Sequence, residues 1–418
     1  MKQKVIELHE YDPKEVPREE LPLEAAELLR QRYQDKIKVE TTSFLPGSNW
    51  RLTSQGYVGY IPLTPEIGIR LLPKRGISIS NLFGMLEYAY SLKSFQLLDG
   101  LIECNCIEDL YDRLAKILAR RVLDRGRRGF YHAYQSKSDN LAYLRGRIDL
   151  KHCCLRPWEV RPYCHFEEHT SDVEENRIIA WTLFQILQSG VCKDQSLPFV
   201  RQAYHTLQSF TTLAPFDVRS CMGRVYSRLN QDYEPIHALC RFFLENRGPG
   251  HEVGDRKMIP FVVDMAHLYE LFVANWMKAH LPESFSIEVQ EKVLIDNQNN
   301  IKFRIDLVIY DEEANHPVFV MDTKYKVAAT SSEDVAQVIA YAEAKGCHEA
   351  VLIYPEKLES DLNIRVGDIH VRRSAFPLRG DLEESGNEFL KDALYAAMKL
   401  DMRGYEACRQ IKEQRRAR

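Results

Sequence analysis

The stretch IDLVIYDEEANHPVFVMDTKYK, Ile305–Lys326, places an acidic residue in each of two segments that favour β-structure. Its parts FRIDLVIY and PVFVMDTKYK are rich in Val, Ile, Phe and Tyr, and the polar stretch between them is typical of a turn. A hairpin would put Asp306 and Asp322 on adjacent antiparallel strands, where facing side chains come close. Lys324 shares a strand face with Asp322, because side chains alternate along a strand. A buried carboxylate needs compensation, so we expect a charged site here.

The bulk properties limit the class of protein. A chain of 418 residues is too long for one compact core, which predicts two or three domains. Hydrophobic residues make up 45% and charged residues 28%, an ordinary globular balance, and the net charge of -4 excludes a globally basic nucleic-acid coat. There is no apolar run of about 18 residues and no signal-peptide core, so a cytoplasmic protein without a membrane span is expected. The ten cysteines lack the spacing of zinc ligands and are interpreted as reduced thiols.

The organisation changes along the chain. Short strands are predicted at residues 38–45, 55–63, 66–74 and 76–80, and helices at 81–92, 107–123 and 172–187. The polar stretch 245–257 contains Gly248-Pro249-Gly250 and is the best linker candidate. These patterns predict three regions: a β-rich plus helical region at 1–168, a helical connecting region at 169–247, and a final domain at 248–418.

The final region can be interpreted element by element. We predict a central helix at 264–281 and strands at 285–295 and 349–355. The two acid-bearing strands lie between these strands in the sequence, and a turn is predicted before them at 297–300. A further helix begins with a capping box, Ser331 with Asp334, and ends at Gly346. The order predicts an α/β domain with a mixed central sheet within a multidomain chain.

This order and these residues resemble the PD-(D/E)xK nuclease superfamily, with its restriction-endonuclease-like α/β core. Asp306 takes the position of the first acid, Asp322 the second and Lys324 the lysine, while Ile305 replaces the usual proline. Glu270, in LYELF, resembles the acid on the preceding helix. Gln337 and Tyr341, in QVIAY, are similar to the QxxxY signature of the RecB-like branch.

Each of these residues also has a purely structural interpretation. Glu270 could be an exposed helix charge, although it is the only Asp, Glu, Lys or Arg from Met265 to Met277. Gln337 and Tyr341 are one helical turn apart and could simply pack together. The tripeptide RID also occurs at Asp149, where no DxK strand follows, so that copy is interpreted as a structural strand or surface acid.

The resemblance implies Mg²⁺-dependent hydrolysis of a phosphodiester. Asp306 and Asp322 would be oxygen ligands for Mg²⁺, and Glu270 would complete or tune the metal site. Lys324 would position the attacking water and donate to a phosphate oxygen. Gln337 and Tyr341 would position the phosphate or Lys324.

The rest of the chain narrows the resemblance. VGYIPL, IGIRLLPKRGISISNLFGMLEYAY, LRGRIDL and DVEENRII resemble the McrC family, as does the region from LYE to DTKYK. McrC proteins are endonuclease subunits of modification-dependent restriction systems. This implies a partner, the hexameric AAA+ GTPase McrB, whose hydrolysis the 1–168 region would stimulate. It also implies double-stranded DNA carrying methylcytosine as the substrate of the 248–418 nuclease domain.

Two other functions stay open at this point. The chain could be an adaptor that activates an AAA+ ring without cutting, or a stand-alone RecB-like nuclease. An arginine cluster adds a second open question, because it could contact DNA phosphates or the partner's nucleotide sites, or be a solvated helix end. It consists of Arg120, Arg121, Arg125, Arg127 and Arg128.

Overall fold

The two acid-bearing segments form neighbouring antiparallel strands in the computed structural model, as the sequence predicts. The structure describes residues 4–42, 48–92, 107–193, 195–253, 256–294, 302–313, 316–326, 330–357 and 361–394. The turn predicted at 297–300 lies outside these residues. No helix in the described ranges combines the length and the apolar character that a membrane span requires.

The helices and strands alternate irregularly, which confirms the mixed α/β class. In chain order the elements are β1 (Lys4–His9), β2 (Lys14–Val16), α1 (Leu23–Arg32), β3 (Ile37–Thr41), β4 (Trp50–Ser54), β5 (Tyr57–Pro62), β6 (Ile67–Leu72), α2 (Ile79–Ala89), α3 (Ile107–Arg128), β7 (Ala133–Asn140), β8 (Arg147–Ile148), α4 (Leu150–Leu155), β9 (Tyr163–Thr170), α5 (Glu174–Ser189), α6 (Leu197–Gln208), α7 (Tyr233–Glu245), β10 (His251–Val253), β11 (Arg256–Met258), β12 (Phe261–Asp264), α8 (Met265–His280), β13 (Phe285–Leu294), β14 (Lys302–Asp311), β15 (His316–Thr323), α9 (Ser332–Lys345), β16 (Glu349–Tyr354), β17 (Asn363–Val366) and β18 (Ile369–Ala375).

The strand predicted at 76–80 is wrong. Residues 79–80 begin α2, because the side chain of Ser78 accepts a hydrogen bond from the backbone N–H of Asn81 at 3.0 Å and caps the helix. The capping box of Ser331 and Asp334 and the left-handed end at Gly346 are confirmed for α9.

The chain forms two compact units. The first contains Met1–Gly59, Ile67–Asn105 and Val263–Arg418, and the second contains Tyr60–Glu66 and Cys106–Val262. The predicted regions 1–168, 169–247 and 248–418 stay a prediction, and the compact units have other bounds. The stretch around Gly248-Pro249-Gly250 lies within the second unit, where the Gly248 N–H donates to the Pro260 carbonyl and the β10–β11 hairpin follows. A fragment that ends there would therefore lack most of the first unit.

A six-stranded mixed sheet, in the order β13-β14-β15-β16-β18-β17, is the centre of the first unit. β14 is antiparallel to β13 and β15, whereas β15, β16 and β18 are parallel. Helix α9 covers one face, where Val338 and Ala342 pack among the buried residues Val320 and Leu352. The mixed sheet is as predicted, and the sequence reasoning missed β17 and β18.

The N-terminal segment is packed against the same unit. The Tyr88 ring of α2 contacts the Phe272 ring of α8 edge-on at 5.9 Å, and Asn81 donates to the Leu378 carbonyl at 2.6 Å. Beyond β1, the buried Glu10 accepts a hydrogen bond from the Tyr325 hydroxyl at 2.8 Å. Residues 4–10 are thereby connected to the segment that follows β15.

The second unit is mainly helical, with a three-stranded sheet in the order β7-β9-β8. Its core contains a buried Asn176 on α5. The Asn176 amide donates to the carbonyls of Tyr131 and Ser171, and its oxygen accepts from the Tyr233 hydroxyl at 2.6 Å. These bonds explain a polar residue at a fully buried position.

Replacing Gly386 with alanine is expected to destabilise the first unit by about 1–3 kcal/mol, because overpacking of a filled core is costly. The added methyl group would lie 2.2 Å from the ring of the fully buried Trp276, which Phe376 contacts edge-on at 5.1 Å. Denaturant unfolding followed by circular dichroism measures the effect. Gly84→Ala is the matched control, since its methyl group meets only the flexible end of Leu382. Equal stability of the two variants would contradict the prediction.

Candidate functional site

The site begins with two carboxylates on adjacent strands. Leu307 of β14 pairs with Met321 of β15, so the next pair in this antiparallel register places Asp306 opposite Asp322. Asp322 is only 2% exposed. Oδ2 of Asp306 accepts hydrogen bonds from the N–H and the hydroxyl of Thr323, both at 2.9 Å. The two strands therefore hold a facing pair of acids, of which Asp322 is buried and Asp306 is half-buried and fixed by Thr323.

The environment raises the pKa of both acids. Burial raises the pKa of Asp322 to about 6, and the neighbouring charge of Asp306 adds to the effect. Burial also raises the pKa of Asp306, together with the charge of Glu270. Two acids with such neighbours favour a bound cation, because a cation removes the repulsion between them.

Lys324 lies directly beside this pair. Its Nζ is 2.7 Å from Oδ2 of Asp322 and donates to Oε1 of Gln337 at 2.9 Å. The Gln337 amide donates in turn to the Tyr341 hydroxyl oxygen at 2.7 Å. Burial would lower the pKa of Lys324, but Asp322, Asp334 and Asp306 outweigh it and raise the pKa above its usual value. Lys324 is therefore positively charged and fixed by its neighbours. Of the two QxxxY residues on α9, Gln337 contacts Lys324 and Tyr341 contacts Gln337.

Asp334 connects the start of α9 to the lysines that follow β15. It accepts from the backbone N–H of Ser331 at 2.9 Å and forms an ion pair with Lys326, while its Oδ1 is 3.8 Å from the Lys324 ammonium. The buried Asp334 carboxylate therefore completes the capping box of α9 and contacts both lysines that follow β15.

Glu270 is placed near Asp306 but is bound by other groups. Its Oε1 accepts a hydrogen bond from the Gln290 amide at 2.7 Å, and the side chains of His267 and Arg304 are at 3.7 and 3.8 Å. Burial would raise the pKa of Glu270, but His267, Gln290 and Arg304 lower it below the usual value. The carboxylate is mostly buried and charged, so it is not the exposed helix charge of the alternative interpretation.

The donor set fits a hard cation such as Mg²⁺ at the Asp306–Asp322 pair. Oδ2 of Asp322 is buried, and the Lys324 ammonium at 2.7 Å is the cation beside it. Carboxylate oxygens are the ligands that Mg²⁺ prefers. Within the described ranges, no three His, Cys, Asp or Glu side chains are grouped closely enough to hold a metal. The predicted addition of Glu270 to the metal ligands therefore stays a prediction.

Replacing Asp322 with asparagine is expected to stabilise the metal-free protein at neutral pH by about 1–3 kcal/mol, following the linkage between pKa and stability. The pKa of Asp322 rises from 3.8 to about 6 on folding, so its charge costs stability as the pH rises from about 4 and costs most above about 6. The gain should therefore vanish below about pH 4. Denaturant unfolding in EDTA at pH 4 and pH 8 measures it. A less stable asparagine variant at pH 8 would mean that the ion pair with Lys324 dominates.

Asp149, in the other RID tripeptide, has a structural role. It lies in the second unit, where its side chain accepts from the His152 N–H at 2.9 Å and caps α4. This agrees with the structural interpretation of that copy.

The arginine cluster lies at the end of α3. Arg125 is paired with Asp232 at 3.3 Å and Arg127 with Asp124 at 3.0 Å. Arg120, Arg121, Arg127 and Arg128 are exposed. These ion pairs and exposures agree with a solvated helix end, and nothing in the described residues selects a ligand for the cluster.

Sequence reasoning missed two residues of the site. Thr323 is the middle residue of the DxK motif, and its hydroxyl was the available signal. The sequence indicates Asp334 as a helix cap only, although a carboxylate ten residues after Lys324 could also reach that lysine.

Comparisons with known proteins agree with the resemblance. A family model described as McrBC 5-methylcytosine restriction system component matches residues 52–355. The type IV methyl-directed restriction enzyme EcoKMcrBC of Escherichia coli (strain K12) is 22% identical over 263 residues, covering 60% of this chain and 73% of that protein. A chain from the refined half-complex of the tetradecameric assembly of Thermococcus gammatolerans McrB AAA+ hexamers with bound McrC aligns with a TM-score of 0.55. It is 16% identical, and the alignment covers 94% of this chain and 100% of that one, which shows a shared fold.

Proposed function

This chain belongs to the McrC proteins of the McrBC restriction-system family, and from this premise we propose that it is the Mg²⁺-dependent endonuclease subunit of such a system. It cuts double-stranded DNA that carries modified cytosine. The cut is made together with a hexameric AAA+ GTPase partner of the McrB kind, whose hydrolysis the chain stimulates.

The observation that carries the proposal is the pair of facing acids with a lysine beside it. Asp306 and Asp322 face each other on adjacent strands, and the Lys324 ammonium is 2.7 Å from Asp322. This is the arrangement expected of a PD-(D/E)xK nuclease centre. Removing charged groups from water is costly, and charged groups with shifted pKa values cluster at functional sites.

The residues divide the work of hydrolysis. Bound Mg²⁺ would supply a water of lowered pKa and stabilise charge on the phosphate, and Asp306 and Asp322 would hold it. Lys324 orients the attacking water and donates a hydrogen bond to a phosphate oxygen, for which its raised pKa keeps it charged. Gln337 fixes the ammonium through its Oε1, and Tyr341 fixes Gln337 in turn. Glu270 acts as a constant negative charge beside Asp306.

The partner and the substrate rest on the family and its relatives. The family description names 5-methylcytosine restriction, and a relative of the same fold is recorded with McrB AAA+ hexamers. A dedicated motor that reads DNA also accounts for the net charge of -4 on this chain, which by itself gives little attraction for DNA.

The adaptor function is disfavoured by the same site. A scaffold that only activates an AAA+ ring has no use for an acid such as Asp322, whose pKa of about 6 reflects an unfavourable buried charge. Such a charge is retained where chemistry requires it.

Reconstitution tests the proposal directly. The full chain is mixed with the McrB-like protein of the same genome, Mg²⁺, GTP or ATP, and plasmid with or without 5-methylcytosine. Cleavage of the methylated plasmid only, dependent on partner, nucleotide and Mg²⁺, is expected. Stimulated nucleotide hydrolysis without any cleavage would support the adaptor instead, and partner-independent cleavage would indicate a stand-alone nuclease.

A further inference from the structure

Gln290 has an unusual backbone for its position. It lies within β13 with a φ of 53°, and the other described non-glycine residues with positive φ are Tyr11 and Ser91. A side chain in the left-handed region brings Cβ close to a carbonyl oxygen, which is unfavourable for glutamine. Such strain within a strand persists where neighbouring contacts enforce it.

The strained residue is directly beside the acid pair. Val289 pairs with Leu307 and Glu291 with Ile305, so Gln290 is opposite Asp306. Its side-chain amide donates to Oε1 of Glu270 at 2.7 Å. The unusual backbone thus coincides with a short hydrogen bond to the third acid of the site.

The contacts of Glu270 explain why its carboxylate is not grouped with Asp306 and Asp322 as a third metal ligand. Gln290 binds Oε1, and His267 lies 3.7 Å from Oε2. The side chain is 15% exposed, so bulk water does not easily replace these partners. A carboxylate engaged in this way has to break the amide bond before it can join Asp306 as a ligand.

We propose that Gln290 is a positioning residue that keeps Glu270 out of the ligand set, so that Asp306 and Asp322 alone hold the cation. This inference rests on the proposed function. The strained backbone fixes the amide, the amide fixes the carboxylate, and the site keeps a modest affinity for the cation. Loss of the amide releases Glu270 to act as a third ligand.

Cation binding to the full chain tests this without measuring cleavage. Mn²⁺ is the probe, and its dissociation constant is obtained from the signal of free Mn²⁺ in electron paramagnetic resonance. Gln290→Gly removes the amide and accepts the left-handed backbone. This variant should bind Mn²⁺ at least about threefold more tightly, since charge count and ligand number set the affinity of carboxylate sites. The double variant with Glu270→Gln should lose that gain.

Two control variants distinguish the effect of relieving backbone strain from the effect of changing a metal ligand. Ser91→Gly relieves a similar φ of 53° elsewhere in the first unit, so it should leave Mn²⁺ affinity at the wild-type value. Glu270→Gln alone should weaken binding by no more than about threefold, as expected for a nearby charge that is not a ligand. A loss of tenfold or more in that variant, or weaker binding by Gln290→Gly, would overturn the inference.

The proposed function fails in a different way. If Asp306→Asn and Asp322→Asn bind Mn²⁺ as the wild type does, the cation site itself is elsewhere and both proposals are wrong. If those variants lose binding while Gln290→Gly matches the wild type, only the role of Gln290 is wrong.

Discussion

Asparagine at Asp306 or Asp322 is expected to lower cleavage of methylated DNA by about 10³-fold or more while the protein stays folded, because metal-assisted hydrolysis supplies several kcal/mol of transition-state stabilisation. Each substitution removes one of the two charges proposed to hold the cation and leaves the shape of the site intact. Cleavage is measured with saturating partner and Mg²⁺, and the fold is checked by circular dichroism.

Two controls accompany this result. Asp149→Asn changes the acid of the other RID tripeptide, which caps α4 in the second unit, and should leave cleavage within about twofold, since the asparagine oxygen can still accept the cap hydrogen bond. Asp306→Asn should also stimulate nucleotide hydrolysis by the partner as the wild type does, because the ring's own site does the chemistry there. Wild-type cleavage by the double Asp306/Asp322 variant would place the active site elsewhere.

Lys324→Ala is expected to reduce cleavage by about 10²–10⁴-fold, the range found for a lost proton-transfer group or a lost donor to developing charge. The carboxylates would still hold a cation, so Mn²⁺ binding should persist or strengthen in this variant, since a positive charge next to Asp322 is gone. Arginine should not restore the rate, because its planar group cannot occupy the place of an ammonium held between Asp322 and Gln337.

Lys326→Ala is the matched control for this lysine. Lys326 pairs with Asp334 and not with Asp322, so its loss should slow cleavage by less than about tenfold, through the packing of α9. Gln337→Ala should lie between the two, because it removes one of the groups that fix the Lys324 ammonium. Equal losses for Lys324→Ala and Lys326→Ala would mean that the lysines act by structure alone.

The strands and helices around the acids were predictable because they are long and strongly patterned. Val, Ile and Phe in β14 and β15 favour strands, and Ser331 and Gly346 mark the ends of α9 by local backbone chemistry. The order of these elements was enough to predict a mixed sheet. Such signals are contained within a few neighbouring residues.

The interactions that could not be predicted join distant parts of the chain. Nothing near Gln290 in the sequence indicates its positive φ or its hydrogen bond to Glu270, which is twenty positions earlier. The stretch 245–257 has the composition of a boundary and also contains residues of the paired strands β10 and β11, which its composition does not indicate. Polar composition alone does not distinguish a linker from an exposed turn between paired strands.

The hydrogen bond between Glu10 and Tyr325 has a consequence for how the protein is made. It joins residues 315 positions apart, so a growing chain has Glu10 long before its partner is synthesised. The second unit, which is nearly continuous in sequence, can fold in that interval. The first unit has to wait, and its assembly is slow because distant segments must meet. The segment beside Lys324 is therefore set only after the later part of the first unit has been synthesised, and a chain terminated before Tyr325 lacks this contact and the proposed site.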